Sequence, residues 1–115
     1  MSDCIFCKGL PRVMENDLCY ALYDIHPVSP GHALIIPKRH FEQIFEATSE
    51  EMTAIRDLLV RMKGEIDSER SPDGYNVWVN CGEAAGQIVM HAHLHLIPRY
   101  RGQAVDVRGH AKAGD

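Results

Sequence analysis

Three histidines fall within five residues, as His91-Ala92-His93-Leu94-His95, and two cysteines form Cys4-Ile5-Phe6-Cys7. On a β-strand, residues two apart share one side and lie about 7 Å from each other. His91, His93 and His95 would then line one face, with Ala92, Leu94 and Leu96 packed beneath them. Three histidines in strict alternation over an apolar back point to chemistry rather than to a solvated surface. Two chemistries fit. His-x-His pairs ligate catalytic metals. Alternatively, the imidazoles surround a phosphate. Neutral imidazole, with an unperturbed pKa of about 6.5, is a competent nucleophile near neutrality, and protonated neighbours would stabilise the phosphoryl oxygens. No Glu or Asp occurs from 84 to 105, so a two-His, one-carboxylate site next to the motif is absent. The cysteine pair alone fits redox, metal-binding or incidental roles. It precedes any strand, unlike a thioredoxin-type motif, and a structural zinc would need two further ligands.

These side chains need a sheet to hold them. Leu18 to Tyr23 and His32 to Ile36 are apolar runs of strand length, separated by the turn-forming Val28-Ser29-Pro30-Gly31, and Pro37 stops the second. Tyr75 to Asn80 alternates, with Tyr75, Val77 and Val79 on one face and Asn76, Trp78 and Asn80 on the other. Val89 to Ile97 alternates again. Phe41, Ile44 and Phe45 predict a short helix after His40. Thr48 with Glu51 forms a capping box, and Met52, Ile55, Leu59, Met62 and Ile66 make the apolar stripe of a helix ending near Arg70. The segment from Met1 to Asp17 reads as irregular. The expected class is α+β with a mainly antiparallel sheet, because only the helix over 50–70 is long enough for a parallel crossover.

The chain has 115 residues, 45% hydrophobic and 24% charged, which fits one globular domain. No run approaches the roughly 18 apolar residues of a membrane span. The N-terminus, Met1-Ser2-Asp3-Cys4, has no apolar signal core, so the expected location is cytoplasmic. The formal charge of −4 gives no reason to expect nucleic acid as the main partner.

His91 to Ile97 resembles the His-φ-His-φ-His-φ-φ signature of the histidine triad (HIT) family, φ being apolar. The likeness extends to Gly86-Gln87 before the motif and Pro98-Arg99 after it. It includes Asp24-Ile25, Gly31-His32, Pro37-Lys38-Arg39-His40 and Asn80, and so runs from Cys4 to about Arg101. The chain looks closest to the bacterial Hint-like and general HIT hydrolase branch. The resemblance implies a HIT-like fold over 1–115, with about five antiparallel strands, one long helix and one short one. It implies an N-terminal zinc-binding segment over 1–17; the tail over 101–115 is polar and Gly-rich, and its composition predicts partial flexibility. The implied partners are a purine nucleotide of adenosine type and a second copy of the chain, the long helix and tail contributing to the homodimer.

By the same resemblance, His93 attacks the α-phosphorus of a nucleoside phosphoramidate, adenylated amine or dinucleoside polyphosphate, and water then releases the nucleoside monophosphate. A hydrogen bond to the His91 carbonyl holds this imidazole. His95 and His32 contact the α-phosphate, Gln87 lies near the leaving-group oxygen, and Asn80 near the phosphate. Asp24, beside Ile25, takes the ribose hydroxyls. Read without the family, Asp24 would organise a turn and Asn80 would cap a strand end. Ile88 stands where many relatives have Ser or Thr, so only its backbone N–H is left to contact substrate. The implied Zn2+ ligands are Cys4, Cys7, His40 and His91, a closed structural set. Only Lys8 to Asp17 separates the cysteine pair from the first strand, a short stretch where relatives often build the base pocket. Cys19 reads as a small buried hydrophobe. A nucleotide-binding module, zinc-stabilised and with little turnover, is the competing reading.

Overall fold

The computed structural model describes residues 4–103. The single α-helix among the described residues, α1, spans Ser49–Arg70 and starts as the sequence predicts. Thr48 Oγ1 accepts from the Glu51 N–H at 3.0 Å, and Glu51 Oε1 accepts from the Thr48 N–H at 2.8 Å. The two bonds satisfy orphan donors of the first turn. The buried stripe is Ile55, Leu58, Met62 and Ile66, whereas Met52 is 45% exposed. The expected stripe is therefore corrected at Met52, and Leu58 replaces Leu59 as the fully buried residue. Each such apolar side chain contributes roughly 1.5–3 kcal/mol by leaving water.

Five strands follow in chain order: β1 Met14–Glu15, β2 Cys19–Tyr23, β3 Ala33–Pro37, β4 Gly74–Trp78 and β5 Leu94–Arg99. They form one antiparallel sheet in the order β1-β2-β3-β5-β4. The α1 stripe packs on Cys19, Ala21, Ala33, Ile35, Leu94 and Leu96. A second apolar cluster on the other face holds Phe6, Tyr20, Leu22, Leu34 and Ile36. Alternation therefore sorts β5 as expected, with Leu94 and Leu96 under the helix and His95 on the opposite side.

Three expectations are corrected. The short helix after His40 is a single 3-10 turn over Ile44–Glu46, with Phe45 80% exposed. The irregular N-terminal stretch contains a 3-10 turn over Ile5–Lys8 and the two-residue β1. The histidine strand begins at Leu94 rather than Val89, so His91 and His93 precede it. The cause lies in β3. Continuing its register would put Pro37 opposite Ala92, and proline has no N–H for the ladder. The Ala92 N–H instead donates to Phe41 O at 2.8 Å. The tail expected over 101–115, and His110 within it, lies outside the described residues from 104 onward. Among the described residues, no helix is long and apolar enough to cross a membrane.

Candidate functional site

The cross-strand register builds one row of side chains across four strands: Leu22, Leu34, His95 and Trp78. His95 thus stands mid-sheet on the face opposite α1, fully buried. His32 enters this face from the tight turn between β2 and β3. His32 N–H donates to Ser29 O at 3.1 Å, and Asp24 N–H to His32 O at 2.9 Å. Gly31 completes the turn at a φ of 92°, and a Cβ there would sit 2.9 Å from Arg70 Cδ. The positive φ disfavours any side chain there, and a Cβ would in addition require the Arg70 side chain to shift.

Hydrogen bonds set the tautomers. The Val28 N–H donates to His32 Nδ1 at 3.1 Å, so the His32 proton sits on Nε2. That nitrogen lies 2.9 Å from His95 Nδ1, which accepts. The His95 proton therefore sits on Nε2, a buried atom with no hydrogen-bond partner among the described residues. Such a group carries a desolvation cost unless a ligand supplies an acceptor. Burial pushes His95 down to about 3, with His93 and His32 adding to the shift, and lowers His32 as well. Both rings are neutral at physiological pH, so the expectation of protonated neighbours gives way to neutral N–H donors. Asp24 Oδ2 lies 3.6 Å from His32 Nε2, and its Oδ1 accepts from the His26 N–H at 2.9 Å. Asp24 therefore organises the turn and also faces the histidine relay. Asp24, His32 and His95 form a compact donor group, and the directional bonds from Val28 through both rings account for it.

His93 Nδ1 lies 2.7 Å from the His91 carbonyl, to which it donates. The bond fixes the ring and leaves the lone pair on Nε2. The rings of His93 and His95 stand 5.1 Å apart. A nucleophilic nitrogen and a neutral N–H donor thus share one buried face, as covalent attack on a phosphoryl group requires. Phe6, between the two cysteines, sets its ring against both His93 and His91, with centroids 5.0 and 5.8 Å away. Phe6 carries no chemistry that would mark it in the sequence, and its place inside the Cys-x-x-Cys pair is the one signal of its position.

The other predicted residues divide. Gln87 is buried with its amide engaged by backbone: Oε1 accepts from Gly82 N–H at 2.8 Å, and Nε2 donates to Glu42 O at 2.6 Å and Val89 O at 3.1 Å. It clamps the 82–89 loop to the segment after Phe41. Asn80 presents a buried Nδ2 with no hydrogen-bond partner among the described residues. Ile25 and Ile88 are 81% and 65% exposed, on the loops that border the face.

Beside this face, Cys4, Cys7, His40 and His91 bring four ligand atoms within 4.8 Å of one another. Cys4 Sγ lies 3.3 Å from His91 Nδ1, Cys7 Sγ 3.4 Å from His40 Nδ1, and the two Nδ1 atoms 3.2 Å apart. The His91 Nε2 proton donates to Pro37 O at 2.7 Å, aiming the Nδ1 lone pair into the cluster. A tetrahedral zinc with bonds of about 2.3 Å to sulfur and about 2.0–2.1 Å to nitrogen has ligand–ligand edges of about 3.3–3.8 Å. The donor set fits. Burial, then Cys4 itself, pushes the Cys7 thiol up, and a bound cation would reverse that by taking the thiolate. Arg39, next to His40, grips the buried Glu51 carboxylate through two 2.9 Å bonds and ties this segment to the start of α1. Cys19 is fully buried, as expected, with its thiol raised to about 11 by burial.

The HIT domain pattern matches residues 11–102. Protein hit of Bacillus subtilis is 40% identical over 104 residues, covering 85% of this chain and 72% of that protein. Adenylylsulfatase HINT3 of Arabidopsis thaliana is 36% identical over 104 residues, covering 85% of this chain and 53% of that protein, so the chain spans about half of its length. A HIT family protein from Bacillus anthracis has the same fold, with a TM-score of 0.82 at 40% identity, over 90% of this chain and 81% of that one. A zinc-bound histidine triad family protein from Mycobacterium smegmatis gives 0.81 at 29% identity, over 98% and 86%.

Proposed function

The chain belongs to the HIT domain family, and on that premise we propose that it cleaves nucleotides at the α-phosphate through a covalent nucleotidyl-His93 intermediate. One observation carries the reading: the His93 Nδ1 bond to the His91 carbonyl at 2.7 Å keeps the lone pair on Nε2, beside the buried His95 N–H. In the first step His93 Nε2 bonds to phosphorus. The P–N or P–O bond to the leaving group breaks, and that group departs with the bond pair and is protonated by water. In the second step water adds to phosphorus, its proton passes to solvent, the bond to His93 breaks and the nucleoside monophosphate leaves. Splitting one displacement in two lowers the highest barrier.

His95 donates Nε2–H to a phosphoryl oxygen. His32 acts through His95 rather than on the phosphate, because both of its ring nitrogens are engaged within the protein. Asn80 offers its Nδ2 on the phosphate and leaving-group side, and Asp24 takes the ribose beside Ile25. Gln87 shapes the loop from which Ile88 presents its backbone N–H. The substrate class is adenosine-type: phosphoramidates, adenylated amines, dinucleoside polyphosphates and, from the Arabidopsis relative's name, adenylyl sulfate.

Zinc belongs to Cys4, Cys7, His40 and His91, supported by their fit and by the zinc-bound Mycobacterium relative. Four protein ligands leave no open position, so the ion would crosslink the N-terminus to the segment preceding β5. A homodimer is part of the reading, and the exposed Val77 and Val79 on edge strand β4 and beyond it support it. The test is product analysis with each substrate class for wild type and His93→Ala. Release of nucleoside monophosphate by wild type alone supports the enzyme. Equal turnover by both proteins rejects the His93 mechanism, and tight nucleotide binding with no turnover by either favours the binding module.

A further inference from the structure

Trp78 is the chain's one tryptophan, and the catalytic reading leaves it without a task. It is directly opposite His95 in the β4–β5 register, on the histidine face. It is half-buried and joins neither apolar cluster. Arg99 covers its ring, with the guanidinium carbon 5.5 Å from the ring centroid. Arg99 is itself fixed by Nε donating to Asn76 Oδ1 at 2.8 Å. Asn76 and Arg99 stand on the same face, since Asn76 pairs with Ile97 and Gly74 with Arg99. Two residues beyond Trp78 comes Asn80, with its buried Nδ2. Asp24 and His32 lie on the opposite side of His95, toward β2 and β3. If the nucleoside takes that side, the group expelled from phosphorus emerges toward β4 and meets the indole.

We propose that Trp78, held by Arg99 and Asn76, is a stacking platform that selects planar aromatic leaving groups, such as the second base of a dinucleoside polyphosphate or an arylalkyl amine. This rests on the nucleotide reading of the histidine face. A π-face anchored by a cation on one side accepts a flat ring on the other at little entropic cost. Stacking tolerates many rings, so the platform would set a preference for planar groups rather than for one base.

The test compares two adenosine phosphoramidates, one with an indolylethylamine leaving group and one with methylamine, in wild type, Trp78→Leu and Trp78→Phe. Wild type should prefer the indole substrate in kcat/KM. Trp78→Leu should lose that preference by a factor on the order of tenfold, chiefly through KM, with methylamine kinetics changed less than twofold. Trp78→Phe should keep part of it. Equal losses with both substrates, or an unchanged preference in Trp78→Leu, would overturn the proposal while leaving the nucleotide reading intact. A second measurement needs no turnover. Diadenosine tetraphosphate should quench the single tryptophan's fluorescence more strongly than AMP does, in wild type and in His93→Ala. Equal quenching by the two ligands overturns the platform, and no binding of either rejects the nucleotide reading beneath it.

Discussion

His32 Nε2 lies 2.9 Å from His95 Nδ1, and the Val28 N–H on His32 Nδ1 gives that contact its direction. A backbone amide in the β2–β3 turn thereby decides which nitrogen of His95 carries the proton, and the proposed mechanism offers that proton to a phosphoryl oxygen. His95→Ala should lower kcat by about 10²–10³-fold, the usual loss for one preorganised donor to developing oxyanion charge. His32→Ala removes the orienting partner but leaves the donor, and should lower kcat less, about tenfold, with KM nearly unchanged. Steady-state kinetics on both variants check the order. A larger loss in His32→Ala than in His95→Ala would place His32 on the phosphate instead.

Gln87 has its amide oxygen and nitrogen on backbone groups of three residues. Gln87→Leu leaves the Gly82 N–H and the Glu42 and Val89 carbonyls without that partner, and should cost about 1–3 kcal/mol of unfolding free energy. Urea denaturation measures it. A variant as stable as wild type but altered only in its response to the leaving group would show a direct contact with substrate.

The metal site predicts a structural dependence. Elemental analysis should find one zinc per chain, with Cys4→Ser and Cys7→Ser losing it and His93→Ala keeping it. Chelation should lower the melting midpoint by several degrees, because binding free energy is folding free energy in such a site. A chelator that abolished turnover reversibly with no change in melting would indicate a catalytic metal.

Acid sensitivity has a definite sign. Burial lowers His32 and holds His95 near about 3 in the folded chain, whereas the unfolded chain takes up protons on both below about 6.5. The unfolded state binds more protons in that window. The stability is full above about pH 6.5 and falls as pH drops toward about 3, by up to about 1.4 kcal/mol per pH unit for His95, with His32 adding in the same direction. Zinc-saturated protein should therefore lose stability from pH 7.5 to 5.5, and His95→Gln should flatten the slope. Stability constant or rising over that range would contradict the buried neutral rings.

How much of this was legible in the sequence follows from how local each cause is. Thr48 and Glu51 announce the start of α1 because a cap is made by residues three apart. The grouping of Cys4, Cys7, His40 and His91, by contrast, came from resemblance and not from spacing, since the contacts span up to 87 positions. The sheet end at Leu94 was hidden because Pro37, on another strand, sets it. The role of Gln87 was hidden for the same reason, its clamp reaching back 45 positions to Glu42. Two-residue β1 has no period to read. Trp78 could have been singled out, since alternation already set it beside Asn76 and Asn80 on one face.

The most direct measurement of the central claim is capture of the intermediate. Wild type is mixed with an adenosine substrate labelled at the α-phosphorus, quenched under conditions that preserve phosphoramidate bonds, digested and mapped. The expected result is label on the peptide containing His93, on the imidazole Nε2, at up to one equivalent per chain, and none in His93→Ala. Turnover by wild type with no label on His93 at any quench time would contradict covalent catalysis.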